Sequence, residues 1–178
     1  NSFTQIFAPF HYTKTSHTLK RYTQFYFDYV YFMKKFDYQI KNDKKVYDIP
    51  KDICKEMFRR ADEAMKNCFP EPNKGFAVTV LTDKGNIYEG VSYNSDTYTL
   101  TMHSEATALA HAVIHGETNI IAITGWNCHI CKQLIWESSL RSNIDVMIIW
   151  EEDNRISKEP ISSMMPYPWP EKLEKPSK

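Results

Sequence analysis

The sequence predicts an α/β fold in which helices pack against a mixed sheet. Three observations carry this. Ile53, Met57, Phe58, Ala61 and Met65 mark one face of a helix. Phe76-Ala77-Val78-Thr79-Val80-Leu81 and residues 86–91 read as two strands joined by the turn Thr82-Asp83-Lys84-Gly85. Two short apolar strands follow at 119–124 and 145–150, each preceded by a helical pattern. Helix, hairpin, helix, strand, helix, strand is the order of a mixed sheet covered by helices.

In chain order, Tyr22, Phe25, Tyr26, Tyr29, Val30, Phe32 and Met33 recur at three- and four-residue spacing, an amphipathic helix. Residues 1–48 therefore read as an aromatic-rich helical extension, separate from a domain at 49–178. The run Lys41-Asn42-Asp43-Lys44-Lys45 reads as a solvated connector. The helix after Pro50 is closed by the breakers Pro70 and Pro72. Ala106, Leu109, Ala110 and Val113 place a second helix over 103–115, and a third covers 128–139. From Ser157 the chain is rich in Pro and reads as extended.

The 178 residues are about the size of one domain, with 42% hydrophobic and 25% charged residues, an ordinary globular balance. Twenty-two basic side chains offset twenty-two acidic ones, which counts against a strongly basic nucleic-acid surface. No apolar run approaches the roughly 20 residues that span a bilayer, so no membrane partner is expected. Residues 1–10 lack the basic and apolar regions of a secretory leader. Cys54, Cys68, Cys128 and Cys131 are too few and too unevenly spaced for a disulfide scaffold, and a cytoplasmic location is expected.

The residues that carry chemistry are His103-Ser104-Glu105 and Cys128-His129-Ile130-Cys131. Two thiolates and one imidazole give zinc three protein ligands and leave its fourth position open, the mark of a catalytic site. Both motifs fall at predicted helix starts, where backbone amides and the positive dipole end favour thiolates. Glu105 lies two positions after His103, which on regular helix turns the side chains about 200° apart. They serve one cavity only if His103 sits before regular helix begins. A carboxylate beside a zinc site, but not on the metal, suits proton movement to and from an activated water. Of the remaining histidines, His111 and His115 read as an exposed i, i+4 pair and His129 as pointing away from the metal. Cys54 and Cys68 read as core or near-surface thiols.

The order His-x-Glu, then Cys-x-x-Cys, is the zinc-deaminase signature, with Asn127 where that signature has Pro. At this point the chain resembles the cytidine deaminase family. Phe76 to Leu81 resembles the family's F-x-V-G-A-A-L strand, and Gly85-Asn86-Ile87-Tyr88-Glu89-Gly90 its G-x-I-x-x-G return. His103-Ser104-Glu105-Ala106-Thr107-Ala108 resembles [CH]-A-E-R-T-A, and CHICKQLIWE resembles P-C-G-A-C-R-Q-V-L-x-E. Ser163-Met164-Met165-Pro166-Tyr167-Pro168-Trp169 resembles the tail E-L-L-P-x-x-F. The similarity runs over about residues 52–173.

The resemblance implies a three-layer α/β/α fold around a mixed five-stranded sheet, with Zn2+ held by His103, Cys128 and Cys131. It implies hydrolytic attack at C4 of a cytosine ring, with Glu105 protonating N3 and then the departing amino group. It assigns the base carbonyl to backbone groups around Ser104, the amino group to carbonyls of Trp126 and Asn127, and the pocket wall to Phe76. Ser92 and Asn94 stand where the family's N-x-E-N segment grips the ribose, a neutral amide replacing the carboxylate. Trp169 stands where the family's tail aromatic closes a neighbouring subunit's site, so a homo-oligomer, dimer or tetramer, is expected. His103 replaces the first Cys of three-Cys members, and Ala106 replaces the Arg that eases their extra charge. Two thiolates already neutralise Zn2+, so the two changes fit each other.

The leading expectation is thus hydrolysis of cytidine or deoxycytidine-like nucleosides to the uridine form. The alternatives are a deaminase of cytosine in single-stranded polynucleotide and a zinc-binding relative without turnover.

Overall fold

The computed structural model describes residues 36–172. The aromatic helix read at residues 22–33 lies outside them. The charged run expected to be a solvated connector is instead a hairpin of β1 (Tyr38–Lys41) and β2 (Lys44–Tyr47). Its turn residues Asn42 and Asp43 have φ of 49° and 61°, the left-handed pair that matches strand twist in a two-residue hairpin. The lysines are engaged: Lys44 Nζ donates to Ser139 Oγ at 3.0 Å and sits 3.8 Å above the Trp136 ring. Lys45 N donates to the Asn143 carbonyl, and the Lys45 carbonyl accepts from Asp145 N at 2.8 Å.

Helix α1 (Lys51–Ala64) buries Ile53, Cys54, Met57, Ala61 and Ala64 along one stripe and carries Asp52 in its first turn, where a carboxylate suits the dipole. Strands β3 (Ala77–Thr82), β4 (Ile87–Val91), β5 (Ile120–Thr124), β6 (Met147–Glu152) and β7 (Arg155–Pro160) form one sheet in the order β4-β3-β5-β6-β7. Only β5 and β6 run parallel, so the sheet is mixed. Helix α2 (Ser104–Ile114) connects β4 to β5, and α3 (His129–Ser142) connects β5 to β6.

Alternation along β3 assigns the layers. Val78 and Val80 pack in one cluster with Ala108, Ala112, Ile135 and Trp136 of α2 and α3. Thr79, on the opposite face, donates from its hydroxyl to the Met57 carbonyl of α1. Helices thus cover both faces, and the central strands read as continuous apolar runs because neither side meets water.

The tail also differs from expectation. Asp153 and Asn154, with φ of 50° and 59°, turn the chain back so that Arg155 pairs with Glu152 and Pro160 with Met147. The strand starts before the predicted extended tail and supplies the fifth member of the sheet.

Gly90 sets the depth at which α2 docks. A Cβ there would lie 2.2 Å from both the Ser104 carbonyl oxygen and Ala108 N. Thr107 Oγ1 ties the same contact from the helix side, donating to the Val91 carbonyl at 2.8 Å. No helix among the described residues is long and apolar enough to cross a membrane.

Candidate active site

A cavity of about 730 Å³ is lined by the starts of β3, α2 and α3 and by the residues that follow β4 and β5. The chain folds this way locally because both helix starts are fixed. His103 is the residue before regular helix in α2, extended at φ −74° and ψ 149°. The condition for His103 and Glu105 to face one cavity is therefore met, and both line it. Cys128 holds the same position in α3, and its sulfur accepts from Cys131 N at 3.5 Å.

His103 Nδ1 lies 3.5 Å from Cys128 Sγ and 3.4 Å from Cys131 Sγ. The three ligand atoms are all within 4.8 Å of one another. A tetrahedral zinc with ordinary bond lengths separates a nitrogen and a sulfur ligand by about 3.6 Å. Donor chemistry and spacing both fit zinc. Burial, then the neighbouring Glu105 and Cys128, push the Cys131 thiol up. A divalent cation is what would hold it as a thiolate. Among the described residues this is the one cluster of three such ligands.

Glu105 is buried next to this triad. Its Oε2 accepts from Ser104 Oγ and its Oε1 from Asn127 Nδ2, each at 3.2 Å. A carboxylate anchored at both oxygens beside an electrophilic centre can hold and return a proton at a fixed point.

The other sequence-selected residues divide. Phe76 and Trp126 line the cavity and are exposed at 77% and 56%, forming an apolar rim; the Trp126 ring lies 4.8 Å from that of Trp150. Ser92 and Asn94 also line it, with Ser92 Oγ accepting from Phe76 N at 3.1 Å. Trp169 does not line it. Its carbonyl accepts from Gln133 Nε2, its side chain is exposed, and the next residue's carbonyl accepts from Trp136 Nε1. Cys54 and Cys68 donate to the carbonyls of Ile49 and Phe76, away from the triad. The ring Nδ1 atoms of His111 and His115 each lie 2.9 Å from a backbone carbonyl oxygen.

Sequence reading missed Thr124 and Thr101. Thr124 Oγ1 accepts from Thr79 N, and its carbonyl accepts from Asn127 Nδ2. Thr101 lines the cavity and accepts from Ser95 N. Neither carries a local signal, since each acts through a partner remote in sequence or through loop geometry.

Comparison with known structures finds the same architecture in cytidine deaminases. That from Burkholderia pseudomallei matches with a TM-score of 0.55 at 16% identity, covering 65% of this chain and 98% of its own. That from Mycobacterium leprae matches equally well, covering 67% and 100%. The Bacillus anthracis cytidine deaminase matches with a TM-score of 0.52 at 14% identity, covering 66% and 89%. None of the curated protein sequences compared matches significantly. The family model for the cytidine and deoxycytidylate deaminase zinc-binding region matches residues 52–147, a stretch that holds Glu105 and all three candidate metal ligands. Because that match spans more than half of the chain, the protein belongs to the cytidine and deoxycytidylate deaminase family.

Proposed function

We propose that this protein hydrolyses the exocyclic amino group of a free cytosine nucleoside, cytidine or deoxycytidine, giving the uracil form and ammonia. The observation that carries the reading is Glu105, buried and anchored at both carboxylate oxygens beside the His103–Cys128–Cys131 triad. A bound zinc ion would supply Lewis acidity, lowering the pKa of water towards about 7.

Glu105 takes the proton from the attacking water and delivers it to ring N3. It then takes the remaining proton from the hydroxyl added at C4 and passes it to the amino nitrogen as the C4–N bond breaks and the C4 carbonyl forms, so one water is consumed and one ammonia released. Phe76, Trp126, Ser92 and Asn94 line the cavity, and in this reading the two aromatic rings face the base while Ser92 and Asn94 hold the sugar. Asn94 presents a neutral amide, so the hold on a ribose hydroxyl is weaker than that of a carboxylate.

None of the described residues lining the cavity is Lys or Arg. A nucleotide phosphate or a polynucleotide backbone would find no cation there, which supports a nucleoside. We assign to the same reading a homo-oligomer in which the exposed Trp169 covers a neighbouring copy's site rather than its own.

The test is incubation with cytidine and deoxycytidine, following the ultraviolet change from cytosine to uracil. Turnover of either supports the reading. A zinc-loaded protein that acts only on single-stranded polynucleotide, or on nothing, overturns it.

A further inference from the structure

Two further imidazoles lie outside the cavity. His111 is in the last turn of α2, and His115 is the residue that closes that helix. The i, i+4 spacing puts both rings on one helix face, where two imidazoles can share a metal ion.

Both rings are already oriented for such a role. Nδ1 of His111 lies 2.9 Å from the Glu89 carbonyl oxygen of β4, and Nδ1 of His115 lies 2.9 Å from the His111 carbonyl oxygen. A carbonyl only accepts, so Nδ1 carries the proton in each ring and the lone pair of the neutral imidazole falls on Nε2. Metal-ligating histidines are fixed by this kind of bond from their other nitrogen. No hydrogen bond among the described residues engages either Nε2. The buried side-chain atoms without a partner belong to Asn127 and Trp150, so Nε2 of the half-buried His111 meets solvent, and His115 is exposed.

The ring separation agrees. The centroids of His111 and His115 are 5.1 Å apart. Two imidazoles bound through Nε2 to one ion at ordinary bond lengths hold their centres roughly 4.5–5.2 Å apart, the longer value for a tetrahedral angle. The Tyr88 ring lies 5.1 Å from each, edge-on to His111 and tilted against His115, and its phenol bonds Glu117, so the pair is braced from the sheet. The end of α2 is also the negative end of its dipole, which favours a cation.

We propose that His111 and His115 form a second metal site, which takes one imidazole-binding divalent transition ion (Zn2+, Ni2+ or Cu2+) through their Nε2 atoms. Among the described residues no carboxylate or thiol joins the pair as a third ligand, so water fills the remaining positions. Mg2+ and Ca2+, which want carboxylate and carbonyl oxygens, find no ligand of their kind there. The ion ties the last turn of α2 to its closing residue, on the helix whose start carries His103 and Glu105.

The test fills the His103–Cys128–Cys131 triad with zinc and then titrates Ni2+ into the full chain by calorimetry. Elemental analysis afterwards gives the zinc retained. The wild type is expected to take up one equivalent of Ni2+ without losing zinc, with affinity for it falling at least about tenfold in both His111→Asn and His115→Asn. Asn keeps a side-chain N–H donor in the place of Nδ1 and removes Nε2. The thermal midpoint controls for the fold, and His115→Asn, at an exposed position, carries the test if His111→Asn does not fold. Mg2+ in place of Ni2+ is expected to give no binding.

No Ni2+ uptake by the zinc-filled wild type, uptake matched by zinc release, unchanged affinity in a folded variant, or Mg2+ bound as tightly as Ni2+ overturns the proposal.

Discussion

The Ser104 carbonyl lies against Gly90 so closely that a Cβ on Gly90 would stand 2.2 Å from its oxygen. Ser104 is flanked by His103 and Glu105, so this contact between β4 and α2 sets where a candidate metal ligand and the proposed proton carrier sit. Gly90→Ala is expected to lose about 1–3 kcal/mol of stability, the usual cost of forcing volume into a packed interior. The variant should also retain less zinc, because the start of α2 must move to clear the methyl group. Urea unfolding and metal analysis check this, and a variant with wild-type values on both would show that the helix has room to spare.

Zinc uptake should depend on pH. In the metal-free site, burial first and then Glu105 and Cys128 raise the Cys131 thiol, so it enters the site protonated and must lose its proton to bind. Affinity is therefore expected to rise with pH, by about tenfold per unit for each proton displaced. Competition with a chromophoric chelator between about pH 6 and 8 measures the slope. A flat dependence would remove Cys131 as a ligand.

A third expectation concerns Glu117, buried where α2 returns to the sheet. It accepts from Thr82 Oγ1 at 2.5 Å and from Asn86 Nδ2 at 2.6 Å. Burial alone would raise its carboxyl, but donors from Thr82, Asn86 and Tyr88 and the charge of Lys84 outweigh it and hold it below the ordinary value. The ionised form thus contributes stability that is present above the unfolded value and lost as pH falls through the lower folded one. Glu117→Gln should cost about 1–3 kcal/mol at neutral pH. The gap to wild type should narrow as pH drops below 4.5. Thermal unfolding at the two ends checks both, and no gap at neutral pH would contradict the role.

Much of this was legible in the sequence because it is local. The predicted β3–β4 hairpin, the helix at 51–64 and the two short strands follow from periodicity and turn residues within a few positions. The spacing of His103, Glu105, Cys128 and Cys131 marked them as a candidate site, and the fold brings the three candidate ligands together with Glu105 beside them. The β1–β2 hairpin was not legible, since each strand has four residues and its lysines draw their stability from Trp136, Ser139 and Asn143 about a hundred positions on. Strand β7 was hidden because an edge strand rich in charge and ending in Pro shows no clean alternation. The bond from Asn127 to Glu105 joins the loop before α3 to the first turn of α2, which no pattern of spacing reveals.

Replacing Glu105 by Gln tests the central claim most directly, because it removes the proton-carrying group while changing shape and bulk least. The account predicts that Glu105→Gln keeps its zinc and its thermal midpoint within a few degrees, and that cytidine turnover falls by at least about a hundredfold. Turnover near the wild-type rate with zinc still bound would contradict the assignment of Glu105 and, with it, the mechanism built on this site.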